Sequence, residues 1–312
     1  MKLLSVLELP EQVESLFRAA FDFKRAGDGP LADQLAAHRV DVLLCSPAGP
    51  MIDQAFLAAL PPSVKAIATY SVGYNHVDVA ACKAAGIAVF NTPEVLAHSV
   101  ADLAMLLILG AARRATESIA LIREGRWIGW KPTQLLGVEL RGKTLGIMGM
   151  GGIGRRIATR AAAFGMEVQY TNRRRLADEE GARFVANPVD LLASSDIFVL
   201  SCPSTPGTRH FIDAGRLARA RPSLMVVNVG RGDLVCDDAL ITALKEGRIA
   251  AAGLDVFEGE PRFDRRYLDL PNVFMLPHIG SSTIEARMGM GQALINAVRE
   301  WTGGGEPANR IA

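Results

Sequence analysis

The feature of this sequence that most constrains its fold is a glycine motif placed between a buried-strand pattern and a helical pattern. Thr144–Met148 is a short apolar run without charge, which is typical of a strand buried on both faces of a parallel sheet. Residues 149–154 read G-M-G-G-I-G, a helical pattern covers residues 153–164, and a second strand is predicted over Glu167–Thr171. With 30 glycines, this spacing alone is weak evidence. Its position inside a β-α-β unit predicts a dinucleotide-binding turn.

Each glycine of the motif has its own physical role in such a turn. Gly149 permits the tight turn, Gly151 lets the backbone approach a pyrophosphate, and Gly154 lets the helix pack close to the strand. The phosphates then meet unpaired N–H groups at the helix N-terminus, where the helix dipole favours negative charge. The alternative, a glycine-rich turn that binds nothing, is disfavoured by the surrounding β-α-β pattern.

The end of the second predicted strand indicates which dinucleotide is preferred. A site for NAD normally places Asp or Glu here to accept hydrogen bonds from the ribose hydroxyls. This chain has Asn172 followed by Arg173, Arg174 and Arg175. A guanidinium pairs with a 2′-phosphate, which a carboxylate would repel. We therefore predict NADP(H) over NAD(H), with Arg173 and Arg174 better placed than Arg175, which is also consistent with a solvated basic turn.

Length and composition exclude several classes of protein. The chain has 312 residues, enough for two domains, and its 49% hydrophobic content is ample for buried cores. A net charge of +1 does not indicate binding to nucleic acid or to an anionic membrane surface. The N-terminal stretch lacks a signal-peptide pattern, no run of apolar residues is long enough to span a membrane, and four scattered cysteines have no metal spacing. These features predict a cytoplasmic protein with free thiols and no bound metal.

The order of strand and helix patterns predicts two α/β domains, each a Rossmann-like, doubly wound parallel sheet. Residues 1–98 alternate strands and helices without a dinucleotide fingerprint. A long apolar helix over residues 99–114, continuing toward residue 123, leads into the glycine motif, and a helix over residues 282–301 returns to the first domain. The expected boundaries are residues 1–98 with 283–312 for a discontinuous substrate domain, and 99–282 for the NADP(H) domain.

Three polar residues follow successive predicted strands of the second domain. Arg231 follows a strand over residues 226–228, Glu260 follows a strand that ends at residue 255, and His278 follows a strand over residues 273–276. Ligands of doubly wound sheets bind outside the carboxyl ends of the strands, so these side chains are expected to converge. An imidazole paired with a carboxylate is a suitable general acid for carbonyl reduction, and a guanidinium holds a keto acid's carboxylate or polarises its carbonyl.

These residues lie in sequence blocks that resemble the D-isomer-specific 2-hydroxyacid dehydrogenase family over nearly the full chain. The blocks, in the family's order, are NTPEVLAHSVADLAMLLIL, the G-M-G-G-I-G unit, NVGRGDLVCDDALITAL, GLDVFEGEP and LPHIGSST. The resemblance implies catalysis by Arg231, Glu260 and His278. It also implies that the backbone at Val72 and Gly73 binds the substrate carboxylate and that Asp255 holds the nicotinamide carboxamide. A role for Asp255 in capping a turn is the less favoured alternative, because this residue is predicted at a strand end.

The full set of expected contacts follows from the motif and the resemblance together. The expected cofactor contacts are Gly149, Gly151, Gly152, Ile153, Gly154, Asn172, Arg173, Arg174, Cys202, Pro203, Thr208, Val229, Gly230, Arg231, Asp255, His278 and Gly280. The expected substrate contacts are Ala48, Gly49, Val72, Gly73, Trp130, Arg231 and His278.

Within the family, the segments SVGYNHVD, RWIGWKP and HIGSS and the basic NRRR turn most resemble glyoxylate/hydroxypyruvate reductases. That resemblance implies reduction of small 2-keto acids, a homodimer, and a role for Trp130 in the partner subunit's active site; a packing role for Trp130 is equally weighted. Asn75 and the pair Cys236 and Asp237 depart from the family's usual residues. The alternatives are a D-3-phosphoglycerate dehydrogenase, another 2-hydroxyacid dehydrogenase, and a non-catalytic dinucleotide sensor or corepressor on the same fold.

Overall fold

Alternating apolar strands and amphipathic helices build two separate α/β units. The structure is a computed structural model that describes all 312 residues. One unit comprises residues 1–96 and 281–312, and the other comprises residues 97–280. The boundaries expected from the sequence, after residues 98 and 282, each differ from these by two residues.

The first unit contains a five-stranded, all-parallel sheet with the strand order β2-β1-β3-β4-β5. Its strands are β1 (Lys2–Ser5), β2 (Asp22–Arg25), β3 (Val42–Cys45), β4 (Ala66–Thr69) and β5 (Ala88–Phe90). Strands β3, β4 and β5 are buried throughout, which explains why they contain no charged residue. The sequence pattern does not predict β2, an edge strand in which only Phe23 is buried.

The helices of the first unit are α1 (Glu11–Ala20), α2 (Leu31–His38), α3 (Gln54–Ala58), α4 (Val79–Ala84) and the C-terminal α11 (Ile284–Thr302). Asp53 caps α3 by accepting a hydrogen bond from the Phe56 N–H, as its sequence position predicts. Helix α11 packs against α1, where Gly291 leaves room for Val13, and Trp301 packs on Phe90. These contacts explain why the end of the chain belongs to the first unit.

The second unit contains a seven-stranded, all-parallel sheet with the strand order β12-β11-β10-β9-β6-β7-β8. Its strands are β6 (Thr144–Met148), β7 (Glu167–Thr171), β8 (Arg183–Phe184), β9 (Ile197–Leu200), β10 (Met225–Asn228), β11 (Ala251–Leu254) and β12 (Val273–Met275). The strand order reverses between β6 and β9, and the carboxyl ends of strands at such a switch point form the usual ligand crevice. The predicted fold class, two Rossmann-like α/β sheets, is confirmed.

The helices of the second unit are α5 (Ala97–Ala112), α6 (Ala115–Arg123), α7 (Gly152–Ala163), α8 (Pro188–Ser194), α9 (Ala214–Leu217) and α10 (Asp237–Lys245). The long helix predicted after residue 99 is two helices, because Arg114 adopts a left-handed conformation (φ 54°) between α5 and α6. Helix α5 is largely buried, and its Gly110 lies so close to the Phe274 ring that no larger residue fits. No helix is both long and apolar enough to cross a bilayer.

Candidate active site

The glycine motif forms the turn between β6 and α7, at the switch point of the seven-stranded sheet. Gly149 has a φ of +104°, and a Cβ at this position would lie 2.6 Å from the Cys202 nitrogen. A Cβ on Gly154 would lie 2.2 Å from the Gly149 carbonyl oxygen. By contrast, a Cβ on Gly151 would have no neighbour within 4 Å. The turn is therefore tight on its protein side and open at Gly151, as a pyrophosphate would require.

The first turn of α7 offers backbone donors to an anion. The helix begins at Gly152, and no side chain caps it at Gly151. The first N–H groups of a helix have no partner within the helix, so those near Gly152 and Ile153 are suited to bind phosphate. The residues present thus fit a dinucleotide at this turn.

The residues of the basic turn after β7 differ in the partners that they contact. Asn172 Oδ1 accepts a hydrogen bond from the Met150 N–H at 2.7 Å, so this side chain braces the glycine turn. Arg175 pairs with Glu179 at 2.8 Å. The exposed Arg173 and Arg174 make no ion pair within the protein and remain available to an anionic ligand. The bracing role of Asn172 was not predicted from the sequence, because it depends on the approach of two loops.

The loop after β9 lies against the glycine turn and is organised by a threonine. Thr208 Oγ1 donates to the Pro203 carbonyl oxygen at 2.9 Å and accepts from the Thr205 N–H at 2.8 Å. Burial raises the pKa of the Cys202 thiol to about 11, so this cysteine stays neutral. The side chains that this loop places beside the glycine turn, including Cys202 and Thr208, are therefore uncharged.

Arg231 stands in a turn that Asn228 holds from both sides. Asn228 Oδ1 accepts from the Gly230 N–H at 3.0 Å, and Asn228 Nδ2 donates to the Arg231 carbonyl oxygen at 2.8 Å. The neighbouring Val229 donates its N–H to the Leu200 carbonyl oxygen. Burial lowers the pKa of the Arg231 guanidinium from its ordinary value, which is high enough for the group to stay charged at neutral pH.

A glycine brings the Arg231 turn against the loop that carries Glu260. A Cβ on Gly232 would lie 1.9 Å from the Phe257 carbonyl carbon, so the two backbones touch directly. On the far side, Phe257 packs against Phe263 with ring centroids 4.8 Å apart. The conformation of residues 257–260 is thereby tied to the Arg231 turn.

His278 and Glu260 form a close hydrogen-bonded pair. The Nδ1 atom of His278 lies 2.6 Å from Glu260 Oε2, and Glu260 Oε1 accepts from the Phe257 N–H at 2.6 Å. The hydrogen bond to Glu260 raises the pKa of His278, and burial opposes it only in part. Burial alone would raise the pKa of Glu260, but the hydrogen bonds from His278 and Phe257 and the charges of His278 and Arg231 lower it overall.

Asp255 holds the turn on which His278 stands. Its side chain is buried, and its two oxygens accept the N–H groups of Ile279 at 2.8 Å and Gly280 at 2.9 Å. The His278 N–H donates to the Asp255 carbonyl oxygen at 2.8 Å, and His278 itself has a left-handed φ of 54°. Burial raises the pKa of Asp255. The turn-capping role is thus observed, and the expected contact with the cofactor stays a prediction.

The expected substrate residues of the first unit lie at the carboxyl edge of its sheet. Val72 and Gly73 follow β4, and Ala48 and Gly49 follow β3, where the Gly49 N–H donates to the Ser46 carbonyl oxygen at 2.9 Å. In the second unit, Trp130 is 82% exposed.

Comparison with known proteins identifies the family. Residues 105–280 match the family model described as D-isomer specific 2-hydroxyacid dehydrogenase, NAD binding domain. The chain belongs to this family. It is 39% identical over 319 residues to a glycerate dehydrogenase of Hyphomicrobium methylovorum, covering 100% of this chain and 99% of the relative. It is 44% identical over 257 residues to a glyoxylate reductase of Thermococcus litoralis, covering 80% and 77% of the two chains.

A solved structure agrees over the whole length of this D-2-hydroxyacid dehydrogenase. The NADPH-dependent glyoxylate/hydroxypyruvate reductase of Sinorhizobium meliloti, in complex with NADP and malonate, has a TM-score of 0.88 and 33% identity, covering 100% of this chain and 96% of that one. The family predicted from the sequence blocks is confirmed, and the chain is an oxidoreductase with an NAD(P)-binding domain.

For a D-2-hydroxyacid dehydrogenase, the arrangement of the second unit has a clear chemical use. The sheet places the glycine turn, Arg231, Glu260 and His278 at the carboxyl ends of its strands. A histidine that is hydrogen-bonded to a carboxylate, as His278 is to Glu260, is a group that can supply and take up a proton. Such a proton is what the interconversion of a 2-keto acid and a 2-hydroxy acid requires.

Proposed function

We propose that this protein reduces small 2-keto acids, glyoxylate and hydroxypyruvate, to glycolate and D-glycerate with NADPH. The observation that carries the proposal is the His278–Glu260 pair at the same sheet edge as the glycine turn. The named relatives support the substrate class, since they include a glycerate dehydrogenase and a glyoxylate reductase.

The residues that would hold the dinucleotide are those of the open glycine turn and its neighbours. Gly151, Gly152 and Ile153 would face the pyrophosphate, and the loop of Cys202, Pro203 and Thr208 borders the same turn. When bound, the reduced nicotinamide supplies the hydride to the carbonyl carbon. Asp255 is proposed to contact the carboxamide while it caps the turn, because each carboxylate oxygen keeps a second lone pair.

His278 is the proposed proton donor. Its Nδ1 is occupied by Glu260, so Nε2 is the atom that would donate to the carbonyl oxygen as negative charge develops there. Glu260 fixes the orientation of the imidazole and stabilises its charged form. In the reverse direction the neutral imidazole would accept the proton of the 2-hydroxy acid.

Arg231 and the first unit's turn are proposed to hold the substrate. The Arg231 guanidinium, kept in place by its own hydrogen bond to the Gly230 carbonyl oxygen at 2.7 Å, would pair with the carboxylate or polarise the carbonyl. The backbone at Val72 and Gly73 would bind the carboxylate, as the family resemblance implies. The small Ala48 and Gly49 leave space for a polar substituent on the substrate.

The preference for NADPH rests on charge at the end of β7. Two arginines without ion-pair partners, Arg173 and Arg174, follow Asn172, and no carboxylate stands at that position. The Sinorhizobium meliloti reductase, a relative by structure, is described as NADPH-dependent.

The sequence predicts a homodimer built on the helix from residue 99 and the loop through Trp130. Because α5 is largely buried within the second unit, the interface is proposed to use the exposed apolar segment that begins in α6. The exposed apolar side chains of this segment are Ile119, Ile122, Trp127, Ile128, Trp130, Leu136 and Val138. Large apolar patches on a protein surface generally mark interaction sites. Trp130 is proposed to reach the active site of the partner subunit.

Turnover by the purified protein tests the proposal. Glyoxylate, hydroxypyruvate and pyruvate, each with NADPH and with NADH, should give the highest kcat/KM for the first two acids with NADPH. Tight NADPH binding without turnover of any 2-keto acid would instead support a dinucleotide sensor on this fold.

A further inference from the structure

In the turn after β4, three consecutive peptide groups have their carbonyl oxygens hydrogen-bonded to other groups of the first unit. The carbonyl oxygen of Ser71 accepts from the Thr92 N–H at 3.0 Å, and that of Val72 accepts from Asn91 Nδ2 at 2.9 Å. The carbonyl oxygen of Gly73 accepts from Ser71 Oγ at 2.7 Å. Each of these three acceptors therefore faces a donor of the first unit.

The N–H groups of the same three peptides have no acceptor in the protein. They belong to Val72, Gly73 and Tyr74, and their peptide bonds are trans. In a trans peptide the C=O and N–H bonds point in opposite directions. Holding the three carbonyls against the protein therefore directs the three N–H groups away from it, and successive free N–H groups form a binding site for an anion.

Hydrogen bonds with Thr69 and His76 orient the Ser71 hydroxyl, which donates to the Gly73 carbonyl oxygen. Thr69 Oγ1 lies 2.8 Å from Ser71 Oγ and 3.1 Å from His76 Nε2. A hydroxyl carries one proton, and that of Ser71 goes to Gly73. Thr69 must then donate to Ser71, and His76 Nε2 must donate to Thr69. These assignments determine the direction of the hydrogen bonds that run from His76 through Thr69 and Ser71 to Gly73.

The side chains behind the Gly73 carbonyl are polar groups at buried positions. Thr69 is fully buried, and His76 and Asn91 are nearly so. Polar side chains at such positions are stable when they are hydrogen-bonded, and the hydrogen bonds hold Thr69 and Asn91 in one conformation. Asn91 is itself held by Asn309, whose Nδ2 donates to the Asn91 carbonyl oxygen at 2.7 Å.

We infer that Asn91, Ser71 and Thr69 are positioning residues that hold the turn with its N–H groups directed at the substrate carboxylate. This inference rests on the proposed function, because it takes the turn to be the carboxylate site. A preformed site loses little freedom when the anion binds, so disordering the turn should weaken ground-state and transition-state binding alike. The effect belongs in KM for the keto acid rather than in kcat.

The test compares two variants of the hydrogen-bonded side chains behind Gly73 with two matched controls. Ser71→Ala and Thr69→Val should each raise KM for glyoxylate about tenfold, the scale of one lost hydrogen bond. The value of kcat should fall less than about threefold, and KM for NADPH should change less than about twofold. Thr69→Ser keeps the hydroxyl and should restore KM. Ser5→Ala removes another buried hydroxyl of this sheet, one that donates to the Leu7 carbonyl oxygen at 3.0 Å, and should leave KM unchanged.

Binding of oxamate, an unreactive 2-keto acid analogue, to the NADPH complex separates this inference from the proposed function. Calorimetry should show about tenfold weaker oxamate binding in Ser71→Ala even if the wild type fails to reduce glyoxylate. The inference is overturned if Ser71→Ala keeps wild-type KM and oxamate affinity, if Ser5→Ala shows the same loss, or if the wild type binds no oxamate. Should Thr69→Val fail to fold, Ser71→Ala, at a half-buried position, decides the outcome alone.

Discussion

The imidazole of His278 is held by Glu260 through a hydrogen bond of 2.6 Å between Nδ1 and Oε2, although the two residues are 18 positions apart. The left-handed conformation of His278 and the buried cap by Asp255 orient the ring from one side. The contact between Gly232 and Phe257 fixes the Glu260 loop from the other side. Backbone contacts therefore fix the positions of both residues, so that the hydrogen bond does not depend on the side chains alone.

Replacement of His278 by Gln should lower kcat for glyoxylate reduction about 100-fold or more, because general acid catalysis usually contributes on this scale. The control is His38→Gln, an exposed histidine of the first unit whose Nδ1 lies 3.0 Å from Lys24 Nζ. That variant should keep wild-type kcat in a steady-state assay. A His278→Gln enzyme with a near wild-type rate and an unchanged pH profile would show that another group donates the proton.

Replacement of Glu260 by Gln should move the alkaline limb of the reduction profile to lower pH. The hydrogen bond to Glu260 raises the pKa of His278 above its ordinary value of 6.5, so the donor form persists to higher pH in the wild type. Reduction should therefore fall as pH rises through that raised pKa, and oxidation of the 2-hydroxy acid should rise. Without the carboxylate the pKa of His278 should drop, while activity at low pH is retained.

The same pair predicts the sign of a pH effect on stability. The raised pKa of His278 contributes stability below the unfolded value, and this contribution is lost as pH rises through the folded pKa. The lowered pKa of Glu260 contributes stability above the unfolded value, and this contribution is lost as pH falls through its folded pKa. Melting temperatures of wild type and Glu260→Gln should thus differ most between these two limits.

Gly232→Ala should destabilise the protein, because its Cβ would lie 1.9 Å from the Phe257 carbonyl carbon and backbone must move. Overpacking of this kind costs on the order of 1–3 kcal/mol or more, which thermal unfolding would detect. The matched control is Gly215→Ala in α9, where the added Cβ meets only Asp213 Oδ1 at 3.6 Å. The control variant should melt at or slightly above the wild-type temperature, and equal melting of both variants would contradict the packing argument.

The sequence predicts buried strands and chemical residue types well, since these depend on local composition. Strands β6 and β10 begin and end where their apolar runs do. It does not predict β2 or β8, which are short edge strands with polar residues and little burial. A strand with one buried residue carries almost no hydrophobic pattern.

The candidate catalytic residues could be named from the sequence, but the contacts that orient them could not. Arg231, Glu260 and His278 stand at strand ends in recognisable patterns. The hydrogen bonds of Asn172 with Met150, of Asp255 with Ile279 and of Asn91 with Val72 depend on how separate loops approach one another. Residue spacing along the chain contains no information about those approaches.

We expect a homodimer in solution, since the segment that begins in α6 exposes a run of large apolar side chains. Sedimentation velocity at micromolar concentration should show a dimer for the wild type. The double variant Ile122→Glu with Ile128→Glu should sediment as a monomer. Leu268→Glu alters a 53% exposed leucine outside this segment and should remain dimeric. A wild-type monomer would also remove the proposed role of Trp130 in the partner's site.

The basic turn after β7 gives the sharpest test of cofactor choice. Arg173→Ala or Arg174→Ala should lower the preference for NADPH over NADH, measured as a ratio of kcat/KM values. A charge-assisted hydrogen bond contributes roughly 1.5–3 kcal/mol, so the expected decrease is about tenfold or more. Arg175→Ala is the matched control, because that guanidinium already pairs with Glu179 at 2.8 Å. It should leave the ratio nearly unchanged.

Asn172→Asp tests the same site while the shorter of the two hydrogen bonds to Met150 is kept. An aspartate oxygen can accept the Met150 N–H at 2.7 Å, but the longer bond from Asn172 Nδ2 to the Met150 carbonyl oxygen, at 3.5 Å, is lost. The added negative charge should repel a 2′-phosphate and accept hydrogen bonds from ribose hydroxyls. KM for NADPH should therefore rise while KM for NADH falls. Equal use of both cofactors by the wild type would by itself show that the proposed NADPH preference is wrong. If Asn172→Asp changes neither KM, residue 172 does not take part in cofactor selection.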